Sequence, residues 1–443
     1  MESALPPSPR RAAIAAGILF VVLFASCQRD SFVTPSATPS PFLDPAKLPP
    51  GDITTYAGTG HLGFTTAVPR SDIMFYYPIA LAVRSADGAL GIADLNNNRV
   101  CQVDVVSGMV RTVTPAPTGG FFGAVPPLLL GHPTGLVYDT NGTLLIASST
   151  TRSILVPGAP DMPGGLVGDL WRRCGGGTGD SLNVLAVQGR LSYPADVAWG
   201  PDSTLYIADQ GTSGIDCIPP DSLMRDSLTG TLTRVRRADG STMRALPLSR
   251  YVVRFAGSGG AGFNGDDPVP AAMAQFFSSR GGGRVPSARL CVSPDGHWLY
   301  VCDSWNNRVR RVDLFSPDRT VTTFAGGGSP VTTPPAMQPT DGGFGGDGGP
   351  AVTCKLSNPT DVDVDFDGSV YICDSGNSRI RHVSPNGVIE TMVGTGARGF
   401  AGDGGAAVHA LLNRPFGISL DRQRRLLYIA DSENQRVRVV KLR

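Results

Sequence analysis

The sequence lacks the patterns that would assign a catalytic or metal-binding function directly. Its cysteines include no Cys-x-x-Cys pair, so a zinc or thioredoxin-like site has no support. No Gly-x-Ser-x-Gly elbow is present either. Charged residues make up 17% of the chain and the net charge is +1, which gives no general attraction to nucleic acids or anionic membranes. No long segment has a helical hydrophobic period, and we therefore expect an all-β fold.

One short phrase recurs along the whole chain. Its last copy, residues 427–438, runs from an apolar stretch into Asp431, crosses a polar turn and resumes at Arg436, which is typical of two strands joined by a turn. In the successive copies of this phrase, the apolar stretch ends at Asp94, Ser148, Asp209, Asp303, Asp374 and Asp431. Self-similarity at a long period indicates a repeat architecture. We therefore predict one large domain over residues 52–443.

Each copy divides into four short strands. In the fifth copy these are residues 361–364, 370–373, 379–383 and 389–393. Such a sheet has apolar side chains on both faces, and a closed ring of sheets buries them without leaving a free end. The last copy stops after its third strand, whereas residues 52–58 form a lone fourth strand at the start. The prediction is a six-bladed β-propeller of four-stranded antiparallel blades, closed by the N-terminal strand joining the last blade.

The first 51 residues have a different character. Arg10 and Arg11 precede an apolar run, 12–25, which is too short for a comfortable transmembrane helix and is typical of a secretory signal. The tetrad ending at Cys27 resembles the lipobox of bacterial lipoproteins, which implies a signal peptide over 1–27 and lipid attachment at Cys27. Plain secretion is the alternative. Residues 28–51 are rich in Ser, Thr and Pro and predict an extended linker.

A second phrase, Gly-Phe-x-Gly-Asp, follows the fourth strand at 262–266, 343–347 and 399–403. Its alternation with the first phrase resembles the NHL-repeat β-propellers of the bacterial and teneurin-like type, over about residues 52–443. Glycine-rich loops can bind anions, but these do not join a strand to a helix and lack the alternating acids of a calcium loop. We interpret them as structural turns. A segment of about residues 219–250 reads as an insertion in the third blade.

Residues that recur in nearly every copy are interpreted as structural. The acid at the end of each second strand is expected to accept hydrogen bonds from the following turn, and the arginine after it to bond backbone or pack between blades. These residues are Asp94, Asp209, Asp303, Asp374, Asp431, Arg99, Arg308, Arg379 and Arg436.

Binding is expected where the copies differ. Trp305 lies in a turn between second and third strands, and four further aromatic residues lie in connections between blades on the same face, namely Tyr76, Tyr77, Phe276 and Phe277. Tyr77 could instead seal a blade junction. His61, His132 and His409 also fall in such connections, and NHL-like propellers include a peptidyl-hydroxyglycine lyase that uses a histidine-bound metal. Three unrelated surface histidines is the preferred interpretation.

The function predicted from the sequence is recognition without turnover. The chain is expected to be an exported lipoprotein of the bacterial outer membrane or cell surface, or periplasmic or secreted if it is not lipidated. It would act as a non-catalytic scaffold for a protein, peptide or glycan, with no cofactor and no nucleic-acid partner, and with membrane contact only through the lipid. The alternative is a propeller enzyme, a metal-dependent lyase or lactonase-like hydrolase, that uses the central channel.

Overall fold

The regular secondary structure in the described part of the chain is β-strands and three-residue 3-10 helices. The computed structural model describes residues 44–114, 130–157, 170–175, 191–210, 214–218, 223–225, 232–234, 253–258, 262–266, 268–276, 288–328 and 342–443. Within these ranges no helix is long and apolar enough to cross a membrane. The signal segment with Cys27 and the linker up to residue 43 lie outside them. The fold is an all-β propeller built from mainly antiparallel sheets, as the sequence predicts.

Five blades are each formed by one stretch of chain. Each has four antiparallel strands, and two carry a short additional outer strand. Blade 1 contains β2 (Val68–Pro69), β3 (Pro78–Val83), β4 (Leu90–Asp94), β5 (Arg99–Val103) and β6 (Met109–Thr112); blade 2 contains β7 (Pro133–Tyr138), β8 (Leu144–Ser148), β9 (Ser153–Pro157) and β10 (Leu170–Gly175).

Blades 3 to 5 follow in chain order. Blade 3 contains β11 (Pro194–Trp199), β12 (Leu205–Asp209), β13 (Gly214–Ile218) and β16 (Val253–Ala256), with a separate ribbon of β14 (Leu223–Arg225) and β15 (Leu232–Arg234) inside the predicted insertion. Blade 4 contains β17 (Val269–Pro270), β18 (Leu290–Val292), β19 (Trp298–Asp303), β20 (Arg308–Asp313) and β21 (Thr320–Ala325); blade 5 contains β22 (Pro359–Val364), β23 (Val370–Asp374), β24 (Arg379–Val383) and β25 (Ile389–Val393).

The remaining sheet, called here the composite sheet, combines both ends of the described chain. It contains β27 (Gly417–Asp421), β28 (Leu426–Asp431), β29 (Arg436–Lys441), the N-terminal β1 (Asp52–Ala57) and the short β26 (Gly405–Ala406). Strand β1 pairs antiparallel with β29, with Ile53 opposite Val440 and Thr54 opposite Val439. The predicted pairing of the N-terminal strand with the last strand of the chain is therefore observed.

The first strands of the sheets surround a central axis. Each contacts the first strand of the next sheet, in the order β3, β7, β11, β18, β22 and β27, and β27 contacts β3 again. A buried apolar cluster lies between each pair of neighbouring sheets; the one between the composite sheet and blade 1, for example, contains Tyr428 and Leu90. Cys302 and Cys373 are fully buried free thiols in these layers, as expected of small fillers.

Candidate functional site

The recurring acid at the end of each second strand anchors its own turn. Asp374 accepts hydrogen bonds from the backbone N–H of Ser357 (2.8 Å) and from Nδ2 of Asn377 (2.8 Å). Asp431 accepts the equivalent pair from Asn413 and Asn434. Burial raises the pKa of Asp374 and of Asp431 to about 6, against the lowering effect of these hydrogen bonds. These carboxylates therefore hold the blade together rather than face a ligand.

In blade 5 and in the composite sheet, the arginine that faces the buried acid differs from the one singled out in the sequence. Arg381 and Arg438 are completely buried and lie 3.4 and 3.6 Å from the carboxylates of Asp374 and Asp431. Arg379 and Arg436, two positions earlier, instead donate to backbone carbonyls of the next loop. In blade 1 the earlier residue, Arg99, itself forms the ion pair with the acid, and its Nε lies 2.7 Å from a carboxylate oxygen of Asp94. The Arg-x-Arg spacing of the last three copies, which begins at Arg308, Arg379 and Arg436, was the missed signal.

The Gly-Phe-x-Gly-Asp loops cover these buried arginines. The ring of Phe344 lies over Arg379 and Arg381, with Arg379 3.8 Å from the ring centroid, and Asp347 forms an ion pair with Arg381. Phe400 and Asp403 stand in the same relation to Arg438. This geometry agrees with the interpretation of the loops as structural turns.

The predicted aromatic anchors have unlike environments. Tyr76 is exposed and Trp305 is half-buried in a 3-10 turn. Tyr77 packs on Phe416, with ring centroids 5.6 Å apart, as expected of a blade seal. Phe276 is only 5% exposed, because it belongs to the apolar cluster between blades 3 and 4, and it is therefore not an exposed anchor. Phe277 lies outside the described residues.

The three candidate histidines are not assembled into a metal site. His409 ends an outer 3-10 helix, Ala407–His409, and His132 bonds to Thr150 (3.0 Å), while His61 follows β1. Across the described ranges, no group of three or more His, Cys, Asp or Glu side chains is arranged to hold a metal ion.

A polar cavity lies on the central axis instead. Its volume is about 210 Å³, and it extends to the turns between first and second strands, where Ser85 is exposed. We call it the central cavity. Its polar and aromatic lining residues are Ser85, Tyr138, Asp196, Trp199, Arg289, Cys291, Asp361, Asp363, Ser419 and Arg422.

Three charged side chains from consecutive blades line the buried part of this cavity. Arg289 lies 3.6 Å from Asp196 and donates across the axis to the carbonyl of Ile79 (2.9 Å). Asp196 accepts from the backbone N–H of Leu290, and Asp361 accepts from that of Ile418, each on the neighbouring sheet. All three charged residues are less than 10% exposed. The group therefore ties first strands together as well as lining the cavity.

The sequence contained a signal for this cluster. Asp196 and Asp361 each stand two residues after a proline that opens a first strand. The same position in other copies is small, namely Ala80, Gly135 and Gly417. The principle that function lies where copies differ therefore applied to the first strands as well as to the loops.

Burial sets the protonation of the two cavity acids. It raises the pKa of Asp361 to about 8, with Arg289 opposing and Asp196 adding to the increase. It also raises the pKa of Asp196 to about 6. Burial therefore favours the protonated form of both acids, and it favours that form more strongly for Asp361 than for Asp196.

The outer part of the cavity has an ion pair and two aromatic walls. Arg422 lies 2.5 Å from Asp363, whose other oxygen accepts from the backbone N–H of Leu420. Tyr138 and Trp199 provide apolar ring surface. Nε1 of Trp199 and Nε of Arg289 have no hydrogen-bond partner within the described part of the chain.

The first prediction concerns Asp361→Asn. The raised pKa means that the folded protein binds a proton that the unfolded chain releases near pH 4, so this residue's contribution to stability is present at low pH and is lost as pH rises through about 8. Asparagine imitates the protonated acid. As the pH is raised from 5 to 8, we expect the free energy of unfolding to fall less for the variant than for the natural protein. The difference should be on the order of 3 kcal/mol.

Urea unfolding across this pH range measures the effect. Asp318→Asn, in the turn between third and fourth strands of blade 4, is the matched control. Equal pH profiles for the natural protein and Asp361→Asn would contradict the assigned protonation.

Comparison with known proteins adds a family signal. Residues 285–401 match the family model described as the teneurin NHL domain. Over 78 residues the chain is 37% identical to NHL repeat-containing protein 2 of Gallus gallus, covering 16% of this chain and 11% of that protein. Over 373 residues it is 26% identical to the protein SUPPRESSOR OF QUENCHING 1, chloroplastic, of Arabidopsis thaliana, covering 83% of this chain and 30% of that protein. The matches span less than a third of either relative.

Solved structures support the fold. An auxiliary nutrient binding protein from Bacteroides ovatus superimposes with a TM-score of 0.54 at 17% identity, covering 87% of this chain and 75% of that one. At this identity the likeness concerns the fold alone. The family match and the structural likeness together support an NHL-type β-propeller.

Proposed function

We propose that this chain is an exported propeller of six blades, lipid-anchored at Cys27, that acts as a non-catalytic binding scaffold for a glycan at the bacterial cell envelope. The composite sheet is the sixth blade in this proposal. Its β27 contacts the first strands of blades 5 and 1, and buried apolar clusters lie on both of its faces. These contacts support a closed ring, which provides a rigid frame with little ordering entropy to lose on binding.

The observation that carries the binding function is the central cavity, in which the ion pair of Asp363 and Arg422 lies beside the aromatic rings of Tyr138 and Trp199. The ion pair of Asp363 and Arg422 offers both an acceptor and donors nearby. Aromatic walls beside paired polar groups suit a sugar ring, which has apolar faces and hydroxyls around its edge.

The size of the cavity favours a glycan over a folded protein or a long peptide. A volume of about 210 Å³ is below the roughly 300–1,000 Å³ of drug-sized pockets. One terminal sugar of a longer chain fits this description, with the remaining sugars on the outer surface. The description of the similar Bacteroides ovatus protein as nutrient binding is compatible with this proposal.

We expect Trp199→Phe to weaken glycan binding about fivefold, because the smaller ring offers less apolar surface to the face of a sugar. The experiment is a glycan-array screen of the purified full-length chain, followed by titration calorimetry of the hits. Trp298→Phe is the matched control, since Trp298 stacks on His297 outside the cavity. Absence of any glycan hit, or equal affinity for the Trp199→Phe variant, would remove the central cavity as the binding site.

The face that carries Tyr76 and Trp305 is the second candidate surface for the same scaffold function. Both residues keep some solvent exposure. If the glycan hits survive Trp199→Phe but are lost on replacing Tyr76 and Trp305 by Ala, binding belongs to that face.

The rival function is an enzyme that uses the central channel, a metal-dependent lyase or lactonase-like hydrolase. One observation favours it, namely two neighbouring acids whose pKa values burial raises to different extents. Asp196 pairs with Arg289, however, and both acids accept hydrogen bonds from backbone N–H groups. These contacts suit a structural or binding role better than a catalytic one. Consumption of a bound glycan or of a lactone by the purified protein, with or without added divalent metal, would favour the enzyme.

A further inference from the structure

The turn between the first and second strands of blade 5 differs from the five other turns of its kind. It carries Phe366, of which 71% is exposed. None of the other turns contains Phe, Tyr or Trp; they lie at residues 84–89, 139–143, 200–204, 293–297 and 422–425. A ring that occurs in one copy alone is not needed to build a blade, and it therefore points to a function at this position.

The backbone of this turn is fixed by its own hydrogen bonds. The N–H of Phe366 donates to the carboxylate of Asp365 (2.7 Å). The N–H of Ser369 donates to the carboxylate of Asp367 (2.9 Å). Asp365 also forms an ion pair with Arg425 of the composite sheet. An exposed ring on a turn that is already ordered loses little conformational entropy when it contacts a ligand, which favours binding.

Phe366 stands beside the mouth of the central cavity. The guanidinium carbon of Arg422 lies 5.9 Å from the centroid of the Phe366 ring. The same guanidinium pairs with Asp363, and both of these charged residues line the central cavity. Ser85, exposed in the equivalent turn of blade 1, lies at the same end of the cavity. A single side chain, that of Arg422, therefore separates the Phe366 ring from the cavity.

The ring also has a polar neighbour that suits a sugar. Asp367 follows it in the chain and is exposed. Desolvation acts to raise the pKa of Asp367, but hydrogen bonds from Ser369 outweigh it and hold this pKa below its ordinary value. The carboxyl is therefore an ionised acceptor at neutral pH. An aromatic face beside an acceptor fits a sugar ring, whose C–H groups pack on the face while its hydroxyls donate.

We propose that Phe366 forms a second sugar subsite, which receives the unit next to the terminal sugar in the central cavity. This inference rests on the proposed glycan-binding function, and it narrows the ligand class to linear oligosaccharides of two or more sugars. The cavity holds one sugar, so the next unit must leave through the mouth, where the Phe366 ring is exposed. Arg422 borders both positions.

The test is titration calorimetry of the full-length chain with linear glycans of increasing length. Three series are used: glucose with maltose and maltotriose, glucose with cellobiose and cellotriose, and N-acetylglucosamine with chitobiose and chitotriose. Any hit from the glycan array is compared with its own terminal sugar in the same way. In at least one series we expect the dimer to bind about tenfold more tightly than the monosaccharide. Equal affinity of monosaccharide and dimer in every series that binds overturns the inference.

Two phenylalanines of almost equal exposure provide the matched comparison. Phe366→Ala should remove the gain of the dimer over the monosaccharide while leaving the affinity for the monosaccharide unchanged. Phe366→Trp should keep the gain, because it retains an aromatic face. Phe315→Ala is the control and should change neither affinity. Phe315 is 70% exposed, but it stacks on His297, with ring centroids 4.7 Å apart, and it does not line the central cavity.

The outcomes separate this inference from the proposed function. If Trp199→Phe weakens binding of the monosaccharide and Phe366→Ala leaves the gain of the dimer intact, the cavity binds sugar and the second subsite is wrong. If the dimer requires Phe366 but binds Trp199→Phe with unchanged affinity, the cavity is not the first subsite and both proposals are wrong. If neither the three series nor the array yields a glycan that binds, the proposed function fails, and this inference fails with it.

Discussion

Replacing Arg381 by Met is expected to lower the free energy of unfolding by about 3–5 kcal/mol, the usual loss when one member of a buried ion pair is removed. Arg381 is completely buried, lies 3.4 Å from Asp374 and also pairs with Asp347. Methionine fills much of the volume but leaves the Asp374 carboxylate buried without its cation. Burial already raises the pKa of that acid to about 6, so further loss of positive charge should drive it towards its protonated form.

Urea denaturation of the single and double variants measures this loss. Arg381→Met combined with Asp374→Asn should recover part of the stability, because the uncompensated charge is then gone. Arg398→Gln is the control, since Arg398 is exposed and has no ion pair within the described part of the chain. If Arg381→Met and Arg398→Gln unfold at the same urea concentration, the buried pair contributes little and the recurring acid has a different role.

Deleting residues 1–57 is expected to have the largest effect of all, because it removes β1 from the composite sheet. Ile53, Tyr56 and Ala57 are each at most 1% exposed and lie in the apolar clusters on the two faces of that sheet. Burial of these side chains contributes roughly 5 kcal/mol, and the deletion also leaves the backbone of β29 unpaired along one edge. We expect loss of cooperative unfolding together with self-association.

The comparison is between chains starting at residue 44 and at residue 58, examined by size-exclusion chromatography and urea denaturation. The longer chain keeps all the described N-terminal residues and should behave like the full chain. A synthetic peptide of residues 44–60 should restore cooperative unfolding to the shorter chain by adding the missing strand. A shorter chain that unfolds cooperatively at the same midpoint would show that β1 is dispensable.

Much of the fold could be predicted because its signals are local. The strand ending at Asp374 and the strand beginning at Arg379 are separated by a short turn, and both ends are marked in the sequence. The pairing of β1 with β29 followed from a missing strand at one end and a surplus strand at the other.

The central cavity could not be predicted in the same way. Arg289 donates to the carbonyl of Ile79, a residue 210 positions earlier, and nothing local in the sequence records that contact. Phe276 was predicted to be an exposed residue of a connection between blades. The structure shows that this connection includes a 3-10 helix, Ala271–Met273, and that Phe276 belongs to the apolar cluster between blades 3 and 4. Side chains that meet across the axis depend on the curvature of the whole ring.

The pairing of Thr55 with Arg438 also has a consequence for synthesis. The two positions are 383 residues apart, the difference between their numbers, so a ribosome working at roughly 5–20 residues per second needs on the order of 20–80 s to pass from one to the other. Throughout that interval the nascent chain carries an unpaired β-strand, β1, whose pairing partner β29 has not yet been synthesised. A chaperone that shields Ile53 and Tyr56 during translation would therefore raise the yield of correctly assembled molecules.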